Sequence, residues 1–131
     1  MAGFTDYLED KVLDHVFGGS AYTAPTTLYV GLFTAAPSDT GGGTECSGSS
    51  YARKSMAAMT VSGTSPTQAT NGAAVEFVTA SGSWGTVTHV GIFDAASSGN
   101  LIAWAALTTS KAVTSGDVFR FNAGELDVTL A

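Results

Sequence analysis

Thr26-Thr27-Leu28-Tyr29-Val30-Gly31-Leu32-Phe33-Thr34 is the stretch on which the fold turns. Leu28, Val30 and Leu32 alternate with Tyr29, Gly31 and Phe33, a period of two that belongs to a strand and not to a helix. Both sets are largely apolar, so the strand is expected to be central and covered on two sides. Working outward, similar runs occupy 53–61, 74–79, 85–94, 101–108, 118–122 and 126–130. They are short and rich in Val, Ile, Phe, Trp and Thr. Ser81-Gly82, Ser97-Ser98-Gly99-Asn100, Ser115-Gly116 and Ala123-Gly124 separate several of them as turn signals. Strands spaced in this way, without alternating helices, predict an antiparallel sandwich or barrel of about seven or eight strands. The stretches 35–50 and 62–72 read as strand-free loops. The first is long enough to be counted as functional or disordered.

The first segment has a different period. Phe4, Tyr7, Leu8, Val12, Val16 and Phe17 recur at spacings of three to five, which predicts a helix over 5–17. Thr5 is the expected N-cap, Asp6, Glu9 and Asp10 suit the positive end of the helix dipole, and Gly18-Gly19 supplies the stop. Leu13 and Phe17 lie away from the Phe4–Leu8 line, so the apolar arc is broad and calls for more than one neighbour. The chain therefore divides into a helical arm, 1–19, and a sandwich domain, 20–131.

Composition narrows the function by exclusion. A chain of 131 residues forms one domain with its own core. Charged residues make up only 12% of it, about half the usual share of ~25%, and the net charge is -6. The basic residues are Lys11, Arg53, Lys54, Lys111 and Arg120, and only Arg53 and Lys54 adjoin. No basic stripe is present for nucleic acid or anionic lipid, so neither is an expected partner. Cys46 is the single cysteine, so neither an internal disulfide nor a zinc cluster can form. No run of ~18 apolar residues predicts a membrane span, and Met1–Asp14 lacks a signal-peptide pattern. Synthesis in the cytoplasm is expected.

Candidate chemistry is sparse. His15 and His89 are the only histidines. Their positions, beside Asp14 near a helix end and within a strand, already account for them. Ser81-Gly82-Ser83-Trp84-Gly85 only mimics a nucleophile elbow. Glu125 and Asp127, with Glu76, compose a potential acidic patch or cation site, but no calcium-loop spacing accompanies them. Gly41-Gly42-Gly43-Thr44 lacks the lysine of a phosphate loop, and Glu45 would repel a phosphate. Cys46 has no neighbouring cation in sequence to activate it. Tyr22, Tyr29, Phe33, Tyr51, Trp84 and Trp104 are candidates for a sugar-binding face, although strand propensity and core packing also account for them. No catalytic residue, metal ligand or cofactor is predicted, and the chain is read as a non-enzyme.

The stretches Thr27–Glu45, Tyr51-Ala52-Arg53, Ser83–Asp94 and Gly99–Trp104, with the Tyr7–Phe17 helix, together resemble small structural proteins of tailed bacteriophages. That group includes capsid cement or decoration proteins and small tail-fibre components. The resemblance implies a jelly-roll-like, mainly β antiparallel sandwich with one N-terminal helix. It implies a capsid cement or decoration protein, a homo-oligomer bound to the major capsid protein on the outer surface of the head. The alternative is a tail-fibre or receptor-binding module that recognises a cell-surface glycan. For the cement role the expected contact residues are Phe4, Tyr7, Leu8, Val12, Val16 and Phe17, with the 35–50 loop second.

Overall fold

The computed structural model describes residues 3–130. Residues 1, 2 and 131, at the outer ends of the 1–19 and 20–131 divisions, lie outside the described residues. In chain order the elements are β1 (Gly3–Phe4), α1 (Asp6–Leu13), β2 (Leu28–Ala35), β3 (Thr44–Glu45), β4 (Lys54–Met56), β5 (Thr60–Ser62), β6 (Thr67–Thr70), β7 (Val75–Glu76), β8 (Gly85–Phe93), β9 (Leu101–Val113), β10 (Arg120–Phe121) and β11 (Asp127–Leu130). A π-helical turn, Asp14–Gly18, continues α1 and ends at Gly19, whose φ of 78° is left-handed.

All pairings are antiparallel. The main sheet runs β1-β9-β8-β2-β3, with β4 also pairing β2, and two smaller sheets, β11-β6-β5 and β10-β7, complete the set. The core lies between these layers. Val30, Leu32, Val90, Ile92, Ala103 and Ala105 come from the main sheet, and Val75, Phe77, Phe119, Phe121 and Leu126 from the opposite side. The chain is a mainly β antiparallel sandwich with one helix, as its period-two runs require.

Cross-strand register shows why β2 is apolar on both faces. Val30 faces Ile92, which faces Ala103; Leu32 faces Val90, which faces Ala105. These rows fill the core. The intervening rows, Tyr29–Phe93–Leu101, Gly31–Gly91–Trp104 and Phe33–His89–Ala106, point to the outer face. There Phe33, Phe93 and Leu101 form a second buried cluster, with Tyr29 and Trp104 packed against it.

Several boundaries differ from the expectation. The predicted 53–61 strand is two strands, β4 and β5, that join different sheets, since β4 pairs β2 and β5 pairs β6. The two loops expected to be strand-free contain β3 and β6. Neither has the apolar alternation that announces a strand, because each is held by its partner's hydrogen bonds and not by its own burial. β9 continues past the expected end at Thr108 through an exposed stretch, Thr109–Ala112, and returns to the core at Val113.

At the N-terminus, Phe4 belongs to β1 and pairs with Ala103. Thr5 stands at the helix N-cap position but makes no side-chain cap bond. It is buried instead, its hydroxyl donating to the Leu101 carbonyl at 2.7 Å and its N–H to the Ile102 carbonyl at 3.1 Å. A buried hydroxyl must find an acceptor, and here the sheet supplies one before the helix does.

Candidate functional site

The outer face of the main sheet carries the most developed site. Its centre is the facing pair Gly31–Gly91. A Cβ on Gly91 would stand 2.6 Å from Leu101 Cδ1 and 2.8 Å from Phe33 Cε1. One on Gly31 would stand 2.8 Å from Phe93 Cε1 and 2.9 Å from Glu45 Oε2. The two glycines therefore leave a trough into which neighbouring rings fold. Phe33 and Phe93 stack in it with centroids 5.9 Å apart and planes 15° from parallel, an offset arrangement that aromatic quadrupoles favour.

Arg53 closes one side. Its guanidinium lies over the Phe93 ring, 3.4 Å from the centroid. Nε donates to Glu45 Oε2 at 2.9 Å and Nη2 to Glu45 Oε1 at 2.8 Å, a two-point carboxylate contact. Nη1 donates to the Ala95 and Ser98 carbonyls at 2.9 and 2.8 Å, tying the 94–100 turn to the same group. Glu45 also accepts from the Tyr51 phenol at 2.7 Å. That phenol in turn accepts the Leu32 N–H at 2.9 Å, while the Leu32 carbonyl accepts from Cys46 N–H at 2.8 Å. β3 and β4 leave β2 uncovered at Leu32, and Tyr51 with Cys46 fill that gap. Burial first, and then the hydrogen bond to Glu45, hold the Tyr51 phenol far above its usual range. Burial, followed by the Glu45 charge, pushes the Cys46 thiol up to about 11. Cys46 is a buried, unactivated thiol, and its position beside Glu45 works against a thiolate.

A cleft of about 510 Å³ opens above the trough, within the ordinary size range for ligand sites. Phe33, Phe93 and Leu101 form its floor. Asp6 and Tyr7 from the start of α1, Asp39 to Gly43, the Arg53–Glu45 pair, and Gly99-Asn100 form its walls. Asp39 locks two walls together: its Oδ1 accepts from Trp104 Nε1 at 3.0 Å, and its carbonyl accepts Asp6 N–H at 2.9 Å. Asn100 is fixed by Asp94 through two hydrogen bonds of 2.7 and 3.0 Å. The cleft's carboxylates outnumber its cations, because Glu45 neutralises Arg53 while Asp6 and Asp39 add negative charge.

The six residues predicted as an assembly contact separate into two groups. Tyr7 and Leu8 pack against the core cluster, and Phe4 is half-buried in the sheet. Val12 is half-buried as well. Val16 and Phe17 face solvent, with Phe17 82% exposed, and Leu13 joins them to form an apolar ridge. The other candidates have structural partners. His89 lies 2.8 Å from Thr88 Oγ1 and against the Trp104 ring, and His15 Nδ1 accepts the Tyr22 N–H at 3.0 Å. Arg120 holds Glu76 at 3.1 Å, and Glu125 accepts from Asn122 N–H at 2.9 Å. Among the described residues, no three His, Cys, Asp or Glu side chains gather as metal ligands, and no helix is long and apolar enough to cross a membrane.

Sequence reasoning missed the Arg53–Glu45–Tyr51 network and Asp39. Nothing in their spacing announces them, since the partners meet only because β3 and β4 lie along the same edge of β2. The signal that was available is the glycine inside each of two strongly apolar strands, which marks a close approach.

The family model for the podophage GP4 fiber I protein gp80 matches residues 3–129. The chain belongs to this family. The GP4 fiber I protein gp80 family is one of fibre-type phage structural proteins, which makes the chain a virion component. No curated protein matches the chain.

Proposed function

We propose that this chain is a non-catalytic fibre module of the virion that binds a hydroxyl-rich cell-surface glycan in the outer-face cleft. The observation that supports this most is the cleft itself, where an apolar floor lies beneath a rim of hydrogen-bonding groups from five separate segments. Sugars present C–H patches and hydroxyls together, and a mixed lining of this kind suits them. Asp6, Asp39 and Thr40 offer acceptors, and Asn100 is held rigid by Asp94. A preorganised rim lowers the ordering cost of binding a flexible ligand. His89 sits between Thr88 and Trp104, which fits a packing role and no catalytic one.

Family membership favours a fibre over a shell clamp, although the exposed Leu13–Val16–Phe17 ridge suits the capsid-cement reading, with the major capsid protein as partner. Immuno-electron microscopy of intact particles separates the two. Label confined to fibres is expected, and label spread evenly over the head would overturn the fibre reading. Binding of the full chain to host cells and to an array of surface glycans tests the cleft. Thr40→Trp, at the exposed mouth, should abolish binding without lowering Tm. Undiminished binding by that variant would remove the cleft from the proposal.

A further inference from the structure

Charge is distributed unevenly around the outer-face cleft. Among the described residues, Arg53 is the only Lys or Arg in its lining. A guanidinium recognises a carboxylate or phosphate by offering it two parallel N–H donors. In Arg53 that fork is already engaged. Nε and Nη2 donate to the Glu45 carboxylate at 2.9 and 2.8 Å, and Nη1 donates to the Ala95 and Ser98 carbonyls. One face of the group lies on the Phe93 ring, and the side chain is 9% exposed. Its charge is matched by Glu45, so no cationic fork is left for a ligand.

The charge that remains is negative. Asp6 and Asp39 line the cleft, both are exposed, and among the described residues neither makes an ion pair. Asp39 Oδ1 accepts from an uncharged donor, the Trp104 indole, at 3.0 Å. Asp94, behind the rim residue Asn100, likewise accepts only from that residue's N–H and amide. The N-terminus of α1 also borders the cleft. Its partial positive charge is met by Asp6 in the first turn, and the Asp6 N–H is taken by the Asp39 carbonyl at 2.9 Å. Lys11, one turn further along, lies 5.6 Å from the Tyr7 ring centroid and is paired with Asp10 at 4.0 Å.

From these observations we infer that the cleft selects its glycan by charge. It takes sugar units without carboxylate, sulfate or phosphate groups, and Asp6 and Asp39 are the residues that turn anionic sugars away. An anionic sugar entering here gives up part of its hydration and meets two carboxylates with no free cation to compensate. The chain's net charge of -6 acts in the same direction at longer range. Uncharged hydroxyls meet no such repulsion and donate to the same two carboxylates. The inference rests on the glycan-binding reading of the cleft and adds the class of sugar to it.

A glycan array of matched pairs tests it, each pair an uncharged oligosaccharide and its counterpart with C6 oxidised to a uronate. The full chain should bind the uncharged members at least about tenfold more tightly. Raising NaCl from about 20 mM to about 500 mM should reduce that preference, because the Debye length shrinks from roughly 20 Å to roughly 4 Å. Asp6→Asn/Asp39→Asn removes both charges while leaving an amide oxygen for the Trp104 indole, and it should narrow the preference at least about threefold. Both positions are exposed, so Tm should hold, and the salt titration of the wild type decides the point without any variant. Uronate counterparts bound as tightly as the uncharged members would overturn charge selection and leave glycan binding standing. So would a preference that persists undiminished in salt or in the folded double variant. A chain that binds neither member of any pair would overturn the glycan reading and this inference together.

Discussion

Replacing Arg53 by alanine removes the group that organises one side of the cleft, and the structure sets the size of the effect. The Arg53 side chain is 9% exposed and that of Glu45 25%, so their two-point contact is screened little by solvent. Removing one member of a buried pair strands the other and costs about 3–5 kcal/mol. Glu45 keeps the Tyr51 phenol as a donor at 2.7 Å, which places the loss near the lower end. The lost stacking on Phe93 adds about 0.5–1 kcal/mol. The Ala95 and Ser98 carbonyls lie near the surface and turn to water, so their contribution is small. The sum is about 3–4 kcal/mol. At an unfolding entropy of about 2.1 cal/mol/K per residue, 131 residues convert this to a fall in Tm of about 11–15 °C. Urea unfolding followed by tryptophan fluorescence, with calorimetry, measures both quantities. Glu45→Ala and the double variant complete the cycle, with an expected coupling of about 2 kcal/mol. A loss below about 1 kcal/mol for Arg53→Ala, or additivity within about 0.5 kcal/mol, would refute the reasoning.

Gly91→Ala forces a Cβ to within 2.6 Å of Leu101 Cδ1 and should destabilise by about 1–3 kcal/mol; an unchanged urea midpoint would contradict the trough. Asn71 is 2% exposed and bonds the Ala73 and Asn122 carbonyls and the Leu126 N–H. Asn71→Leu should therefore cost about 3 kcal/mol in denaturant titrations. The Cys46 thiol, held at about 11, should resist a disulfide reagent at pH 8 until urea is added. Because the folded pKa is raised, the protonated form is favoured by folding. The stability this contributes is complete below the unfolded value of about 8.5 and is lost as pH rises through about 11. Tyr51 acts in the same direction, so Cys46→Ala should reduce but not abolish the alkaline loss. Phe17→Ser, at a side chain 82% exposed, should alter Tm by the equivalent of less than about 0.5 kcal/mol.

What the sequence by itself determined was the layering. Period-two runs in 26–34, 85–94 and 101–108 established the strands, and the two apolar sets of 26–34 announced a strand covered on both faces. Each strand carries that information in its own alternation, whatever its neighbours are. The helix was legible for the same reason, and so was its stop at Gly19. What only the tertiary structure decided was the pairing of short polar segments. β3 and β6 lie inside stretches without apolar periodicity and exist through hydrogen bonds shared with neighbouring strands. Phe4 and Thr5, read as the start of a helical face, are committed to the sheet by the Ala103 register and the Leu101 carbonyl. The cleft follows the same rule. Its glycines were visible as breaks in apolar strands. By contrast, Arg53, Glu45, Tyr51 and Asp39 converge from separate segments, and a contact between residues distant in sequence leaves no periodic trace in the chain.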